Sequence, residues 1–305
     1  MFRTSLKRLL PGNLLSVDSL GIEEIAEIFA SAEILWKRTT GDGYSAIGQH
    51  IFVEALLASP DIHTERAFLS AAGRLNVSFR SVQIVEDWRR TLDVARKYCN
   101  LIIVQHPYLD SMGGLFQAHC PIISAGGGKE NPLRALVDLY ALTRSWEGGL
   151  DGITGKAFVF AGNVWGNEET RSFLSLLALY QPKRIAIVPL PGYPDSSDIV
   201  SLFAHPSTVL SIGEELSSEL LADADVVFFA GRPMSPEPDR RFDRFQMNSQ
   251  NLALLRPDTI VMGNDCAVFK GMEDDRPRFD YDRLRFEQSF VSIMMAVIEG
   301  SLYMY

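Results

Sequence analysis

Short apolar runs without an alternating polar face recur along the chain, and most lead into a segment with helical spacing. Leu101-Ile102-Ile103-Val104, closed by Gln105-His106-Pro107, is one; Pro121-Ile122-Ile123-Ser124, closed by Gly126-Gly127-Gly128, is another. A strand buried on both faces has this pattern, and such strands belong to parallel sheets connected through helices. Upstream, Asp18 and Ser19 precede Ile22, Ile25, Ile28 and Phe29, an amphipathic helix with Glu23, Glu24 and Glu27 near its positive end. The segment Ile51 to Leu57 predicts a strand, passing through Ser59-Pro60-Asp61 into a helix that holds Phe68, Leu69, Ala72 and Leu75. Leu109 to His119 is expected to be a short helix-like connection. Asn131-Pro132 opens a helix running to about Trp146, with Leu133, Leu136, Val137, Tyr140 and Ala141 on one face.

The glycine-rich stretch from Glu147 to Gly152 then precedes a new strand, Ala157 to Ala161, which places a domain boundary there. Further strands are expected at 184–188, 226–229 and 259–262, with helices near 170–180, 196–204 and 214–222. From Arg283 to Tyr303, Phe286, Phe290, Ile293, Met294, Val297 and Ile298 recur at helical spacing. The expected architecture is α/β: two doubly wound parallel-sheet domains, residues 1–147 completed by the helix 283–305, and residues 148–282. Ligands of such sheets sit beyond the carboxyl ends of the strands.

Composition removes several classes of function. With 305 residues, 47% hydrophobic and 22% charged, the chain can bury a core, which excludes disorder. A net charge of -9 leaves no basic field for nucleic acid. Cys99, Cys120 and Cys266 form no C-x-x-C pair, so neither a disulfide framework nor a structural zinc site is expected, and a reducing cytoplasm fits. The carboxylates of 272–275 lack a histidine partner and suit a solvated loop, so no metal is expected. No run of about 18 apolar residues offers a membrane span. Lys7 and Arg8 interrupt the apolar residues near the start, so no signal peptide is expected. Gly126-Gly127-Gly128-Lys129 could cradle a phosphate or form only a tight turn; it is neither a G-x-x-x-x-G-K-[ST] loop nor a dinucleotide fingerprint, and no cofactor is expected.

Taken in order, several segments resemble one family. They are Ile103-Val104-Gln105-His106-Pro107, the run from Pro121 to Gly126, the run from Asn131 to Tyr140, and Leu150-Asp151-Gly152. Arg171 to Leu176, and Ala224-Asp225-Val226-Val227 before Gly231-Arg232, continue the series. The pattern is similar to that of the aspartate/ornithine carbamoyltransferases, which read R-H-P, P-V-I-N-A-G-D-G, H-P-T-Q-x-L-L-D-L, R-T-x-x-S-L and A-D-V-x-Y-x-x-R. The resemblance implies two α/β domains bridged by helices, a ligand cleft between them and a trimer.

For activity, the departures matter as much as the matches. The family's S-T-R-T-R motif, which holds the phosphate of carbamoyl phosphate, falls on Asp61-Ile62-His63-Thr64-Glu65, where only Thr64 is kept. An alternative register puts it on residues 56–60, also without arginine. Gln105 replaces the arginine before H-P, Asn131 the histidine of H-P-T-Q, and Arg134 its glutamine. Residues 263–266 replace the H-P-L-P loop. The loop that gives a serine and a lysine to a neighbouring subunit, expected between Phe79 and Trp88, is shortened and holds no lysine.

Arg171 and Arg232 align with the arginines that hold the amino-acid carboxylates, a task suited to a guanidinium fork. Met234 departs from a glutamine expected nearby. His106 and His63 are the candidate proton-transfer residues, with turn and surface roles as their plain alternatives. Cys266 could be a nucleophile only beside a cation, and Asp265 opposes that. Thr64, Arg134, Lys129 and Arg66 are candidate ligand contacts. The expected function is a divergent family member binding an amino acid or dicarboxylate, a repurposed enzyme rather than an ordinary carbamoyltransferase. The alternative is an inactive relative serving as a ligand sensor or assembly subunit. A cytoplasmic homotrimer is expected, or a heteromer with another enzyme.

Overall fold

The computed structural model describes residues 12–40, 50–59, 62–84, 87–109, 120–190, 197–230, 253–263 and 276–302, with backbone alone at 197–199 and 276–285. The connection expected at 109–119 therefore lies, after Leu109, outside the described residues. So do Asp61, Arg232, Met234, Asp265, Cys266 and residues 272–275.

The first elements are α1 (Ile22–Thr40), β1 (Phe52–Leu57), α2 (Ile62–Leu75), β2 (Ser78–Gln83), α3 (Trp88–Ala95), β3 (Leu101–Gln105), β4 (Ile122–Ser124) and α4 (Pro132–Arg144). They are followed by β5 (Ala157–Gly162), α5 (Glu168–Tyr180), β6 (Arg184–Pro189), α6 (Ser197–Leu202), β7 (Val209–Ile212), α7 (Ser218–Ala222), β8 (Val226–Phe229), β9 (Ile260–Gly263) and α8 (Arg276–Leu302). Two compact units result: Met1–Ala141 with Arg285–Tyr305, and Leu142–Leu284.

Both sheets are parallel, ordered β2-β1-β3-β4 in the first unit and β7-β6-β5-β8-β9 in the second. The central strands are the uninterrupted apolar runs. Two strands fall outside that pattern: β2, Ser78-Phe79-Arg80-Ser81-Val82-Gln83, and β7, Val209-Leu210-Ser211-Ile212, both at sheet edges and partly exposed. An edge strand faces water along one side and can carry polar residues, so it lacks the buried-strand signature. Since β2 takes up most of the segment between Phe79 and Trp88, only Ile84 to Asp87 remains as the connection to α3.

Each core follows from strand composition. In the second unit Phe160 on β5 lies 5.4 Å from Phe228 and 5.9 Å from Phe173, ring centroid to centroid, and all three are fully buried. A buried aromatic side chain contributes about 2–3 kcal/mol from area alone. In the first unit Leu56, Ile102, Val104 and Ile122 pack under Leu92 and Ala95 of α3. On the opposite face Phe68 of α2 meets Phe79 of β2 and Phe290 of α8, at 6.3 and 6.1 Å. Helix α8 begins before Arg283, with Pro277 in its first turn, where a missing N–H costs nothing.

The strand orders place the topological switch points. In the first unit the chain leaves β1 for β2 on one side and returns to β3 on the other, so the crevice opens at the carboxyl ends of β1 and β3. The same logic in the second unit selects the carboxyl ends of β5 and β8.

Candidate functional site

At the edge of the first sheet the strand ends are joined by backbone hydrogen bonds. Ala58 N–H donates to the Gln105 carbonyl (2.9 Å), Ala125 N–H to that of Val104 (2.8 Å) and His106 N–H to that of Gly126 (3.0 Å). Gly127 lies directly against His106: it has φ +92°, and a Cβ there would come within 2.8 Å of the histidine backbone. Only glycine suits that position. The glycine turn therefore closes against the end of β3.

His106 is buried, with its imidazole stacked on Trp88 at 4.6 Å and 29° and tilted against Tyr108 at 5.6 Å. Its Nδ1 accepts a hydrogen bond from the Tyr108 N–H (3.2 Å). Burial disfavours the imidazolium and holds its pKa below the ordinary histidine value. Trp88 and Tyr108 were not among the residues singled out by sequence. The Trp88 stack crosses two connections, and sequence spacing carries no sign of it.

The other candidates of the first unit take varied places. His63 and Thr64 lie in the first turn of α2; His63 Nδ1 is 3.9 Å from Glu287 Oε1, with both side chains more than half exposed. Arg66 is exposed on the same helix, and Lys129 is exposed at the end of the glycine turn. Glu130 beside it accepts from Ser16 Oγ (3.0 Å) and Val17 N–H (2.8 Å), tying the turn to the segment before α1. Arg134 donates from Nε to Asp138 Oδ1 at 3.2 Å and lies 4.5 Å over the Phe286 ring. Asp138 is fully buried, so this pair belongs to the packing of α4 against α8. Asn131, where the family motif has histidine, caps α4: its Oδ1 accepts from Arg134 N–H (3.0 Å) and its Nδ2 donates to the Ala125 carbonyl (3.3 Å).

At the second sheet's switch point, β5 ends at Gly162 and α5 begins after Asn167, whose Oδ1 accepts from Thr170 N–H at 2.9 Å. Arg171 follows in the first turns of α5, half-buried, and its guanidinium donates to the Trp165 carbonyl. This bond draws the side chain toward the β5–α5 connection. Across the switch point, Ala230 N–H at the end of β8 donates to the Ala161 carbonyl (2.8 Å).

Among the described residues no group of three His, Cys, Asp or Glu side chains could hold a metal, and no helix is long and apolar enough to cross a membrane. Cys99 and Cys120 are buried free thiols, pushed up by burial to about 12 and about 11, which leaves almost no thiolate for nucleophilic work near neutrality.

No family model matches the chain. It is 22% identical over 310 residues to the aspartate carbamoyltransferase catalytic subunit of Thermoplasma acidophilum, a match spanning 94% of this chain and 96% of that one. Against the corresponding subunit of Archaeoglobus fulgidus the identity is 23% over 305 residues, spanning 94% and 97%. Among solved structures it resembles Trypanosoma cruzi aspartate transcarbamoylase in complex with carbamoyl aspartate and phosphate, at TM-score 0.83 and 19% identity, covering 96% of each chain. The catalytic subunit of M. jannaschii aspartate transcarbamoylase gives TM-score 0.78 and 19% identity, covering 96% of this chain and 98% of that one. The two parallel sheets thus have the aspartate transcarbamoylase fold, and over nearly all of its length the chain is distantly similar in sequence to aspartate carbamoyltransferase catalytic subunits.

Proposed function

We propose that the protein binds an amino acid or small dicarboxylic acid through Arg171 and Arg232, as a repurposed transferase that does not use carbamoyl phosphate in the usual way. The supporting observation is the contrast between the two sheet edges. At the second, Arg171 donates to the Trp165 carbonyl in the connection after β5, and the sequence resemblance aligns it with the family's carboxylate-binding arginine. At the first, α2 opens with Ile62-His63-Thr64-Glu65, and Arg134 is engaged by Asp138. A carboxylate about 4 Å from a phosphate oxygen costs on the order of 4 kcal/mol at an effective dielectric of 20, so Glu65 in place of an arginine reverses the local preference. In this reading the guanidinium groups of the second unit orient the acid; His106 and His63 are the candidate proton-transfer residues of the first unit. A homotrimer, alone or joined to another enzyme, belongs to the same proposal, and light scattering at micromolar concentration tests it.

The test of function pairs binding with turnover. Thermal stabilisation by a panel of amino acids and dicarboxylates should appear in the wild type and be lost in Arg171→Ala. Carbamoyl transfer to aspartate or ornithine should stay below about 1 s⁻¹, the low end of ordinary enzyme rates. Absence of any stabilisation favours the inactive assembly subunit instead.

A further inference from the structure

We propose that the outer edge of β7 is a two-fold interface: in solution the strand pairs antiparallel with β7 of a second copy of this chain, so that the five-stranded sheet of the second unit continues across the axis. The inference concerns the second unit alone and does not depend on the ligand proposed above.

The edge lacks the protection that other edges of this molecule have. An edge strand presents a bare row of N–H and C=O groups, and soluble proteins normally blunt it with charge, proline or a covering segment. At one edge of the first sheet, β2 carries exposed Arg80 in its middle. At the other edge β4 is covered: Leu14 N–H donates to the Ile122 carbonyl (2.9 Å) and Ser124 N–H to the Leu14 carbonyl (2.7 Å). From Thr208 to Gly213 there is neither charge nor proline, and Val209 is 61% and Ile212 49% exposed.

The main chain sets the register. Val209 N–H donates to the Lys183 carbonyl (3.1 Å) and Gly213 N–H to that of Ile187 (2.8 Å), so alternate residues from 209 turn their polar groups toward β6. Those of Leu210 and Ile212 therefore point outward, and among the described residues nothing takes them up. An antiparallel copy centred on Ser211 sets Leu210 opposite the partner's Ile212, and each of these symmetry-related pairs exchanges both of its main-chain bonds. Leu210 and Ile212 are in register with Ile185 and Ile187, hence on the face where Phe160 meets Phe173 of α5. Helix α6 lies against α5 on that face, with Val200 and Leu202 exposed. The axis brings α6 toward its copy, adding apolar area that two short strands alone lack.

Charge commits the edge to a second copy. Lys183 is exposed beside the amino end of β7, and Glu214 and Glu215 are exposed just beyond its carboxyl end. An antiparallel copy brings its own two glutamates toward Lys183, twice over by symmetry, whereas a parallel copy sets like ends together. Opposite charges across an interface favour the first arrangement and fix its register. A contact of this kind is self-complementary, so a closed assembly built on it holds an even number of chains.

Analytical ultracentrifugation of the full-length protein across the micromolar range should show self-association to an even number of chains: a dimer, or a hexamer if the first unit forms a trimer. Ser211→Cys places a thiol against its copy on the axis, where facing Cα atoms of a non-hydrogen-bonded pair lie about 4.5 Å apart, within disulfide reach. Copper phenanthroline should convert that variant to a covalent dimer, and should leave wild type and Val209→Cys, which is exposed but off the axis, without the cross-link. Ile212→Lys should weaken association about 10-fold or more, because both symmetry-related contacts change together. Lys183→Glu should weaken it as well, and adding Glu214→Lys and Glu215→Lys should restore it. If Ile212→Lys lowers the circular-dichroism melting temperature, the surface variant Lys183→Glu decides. A monomer or trimer at every concentration, or no cross-link through Ser211→Cys, overturns the proposal. An even-numbered assembly indifferent to both Ile212→Lys and the charge reversals overturns it too.

Discussion

The carboxyl edges of the two sheets share a topology and differ in chemistry. Each lies where a parallel sheet reverses its winding, and each has a helix beginning nearby. At the second, an arginine is held by a backbone carbonyl within the opening turns of α5. At the first, a buried histidine is stacked on Trp88 and closed over by a glycine turn; of the cations described nearby, Lys129 is exposed, Arg89 lies 5.5 Å over the Trp88 ring and Arg134 is paired with buried Asp138. Topology therefore fixes where ligands can sit, and the side chains at each edge decide which charge is welcome there.

The largest expected effect bears on the scaffold of the second edge. Phe160→Ala removes a fully buried ring that packs on Phe173 and Phe228, and denaturant unfolding should report a loss of about 3–5 kcal/mol. A smaller loss would mean that the second sheet's core collapses around the cavity. Next, Arg171→Ala should weaken acid binding by about 2–4 kcal/mol in calorimetry, the range for losing a charge-assisted contact. Arg184 is a poor control for that experiment, because its guanidinium reaches Asp223 at 3.2 Å and the Leu220 carbonyl at 3.5 Å with little exposure. Exposed Lys97 serves better, and Lys97→Ala should leave binding unchanged.

At the first edge, Gly127→Ala forces a Cβ into the His106 backbone at a positive φ and should cost about 1–3 kcal/mol of stability, measured by urea denaturation. An unchanged midpoint would show that the turn can move away from β3. Away from both edges, Glu299 of α8 is buried and accepts from Ser31 Oγ at 3.2 Å. Burial raises its pKa above the ordinary 4.5, so the folded state favours the protonated carboxyl. The associated stability is present in full below pH 4.5 and is lost as pH rises through the folded value. Glu299→Gln should consequently raise the melting temperature at pH 7 relative to wild type, with the difference shrinking toward pH 4. An equal difference at both pH values would place the effect in packing rather than ionisation.

Much of the fold was legible in the sequence because the central strands are buried on both faces and cannot hide their apolar runs. Strands β2 and β7 escaped because edge strands are free to be polar, and α3 because it is short and follows a strand that went unread. The site was legible only in part. Arg171 and His106 could be named as candidates from ordered motifs, but Trp88 meets His106 across α3, the turn after it and β3, and spacing is silent on such a stack. Arg134 shows the converse: in sequence it is a spare cation near a glycine turn, and only the packing of α4 against Phe286 reveals its commitment to Asp138. Asn131 likewise stands at a motif position and caps a helix there.

The central claim, that the second edge holds a carboxylate while the first does not hold a phosphate, is tested most directly by calorimetric titration of the full-length protein and Arg171→Ala with succinate and with carbamoyl phosphate. The account predicts that succinate binds the wild type and is lost or weakened roughly 30-fold or more by Arg171→Ala, about 2 kcal/mol in free energy, and that carbamoyl phosphate gives no saturable heat with either protein. Micromolar binding of carbamoyl phosphate, or succinate binding that is indifferent to Arg171, would contradict it.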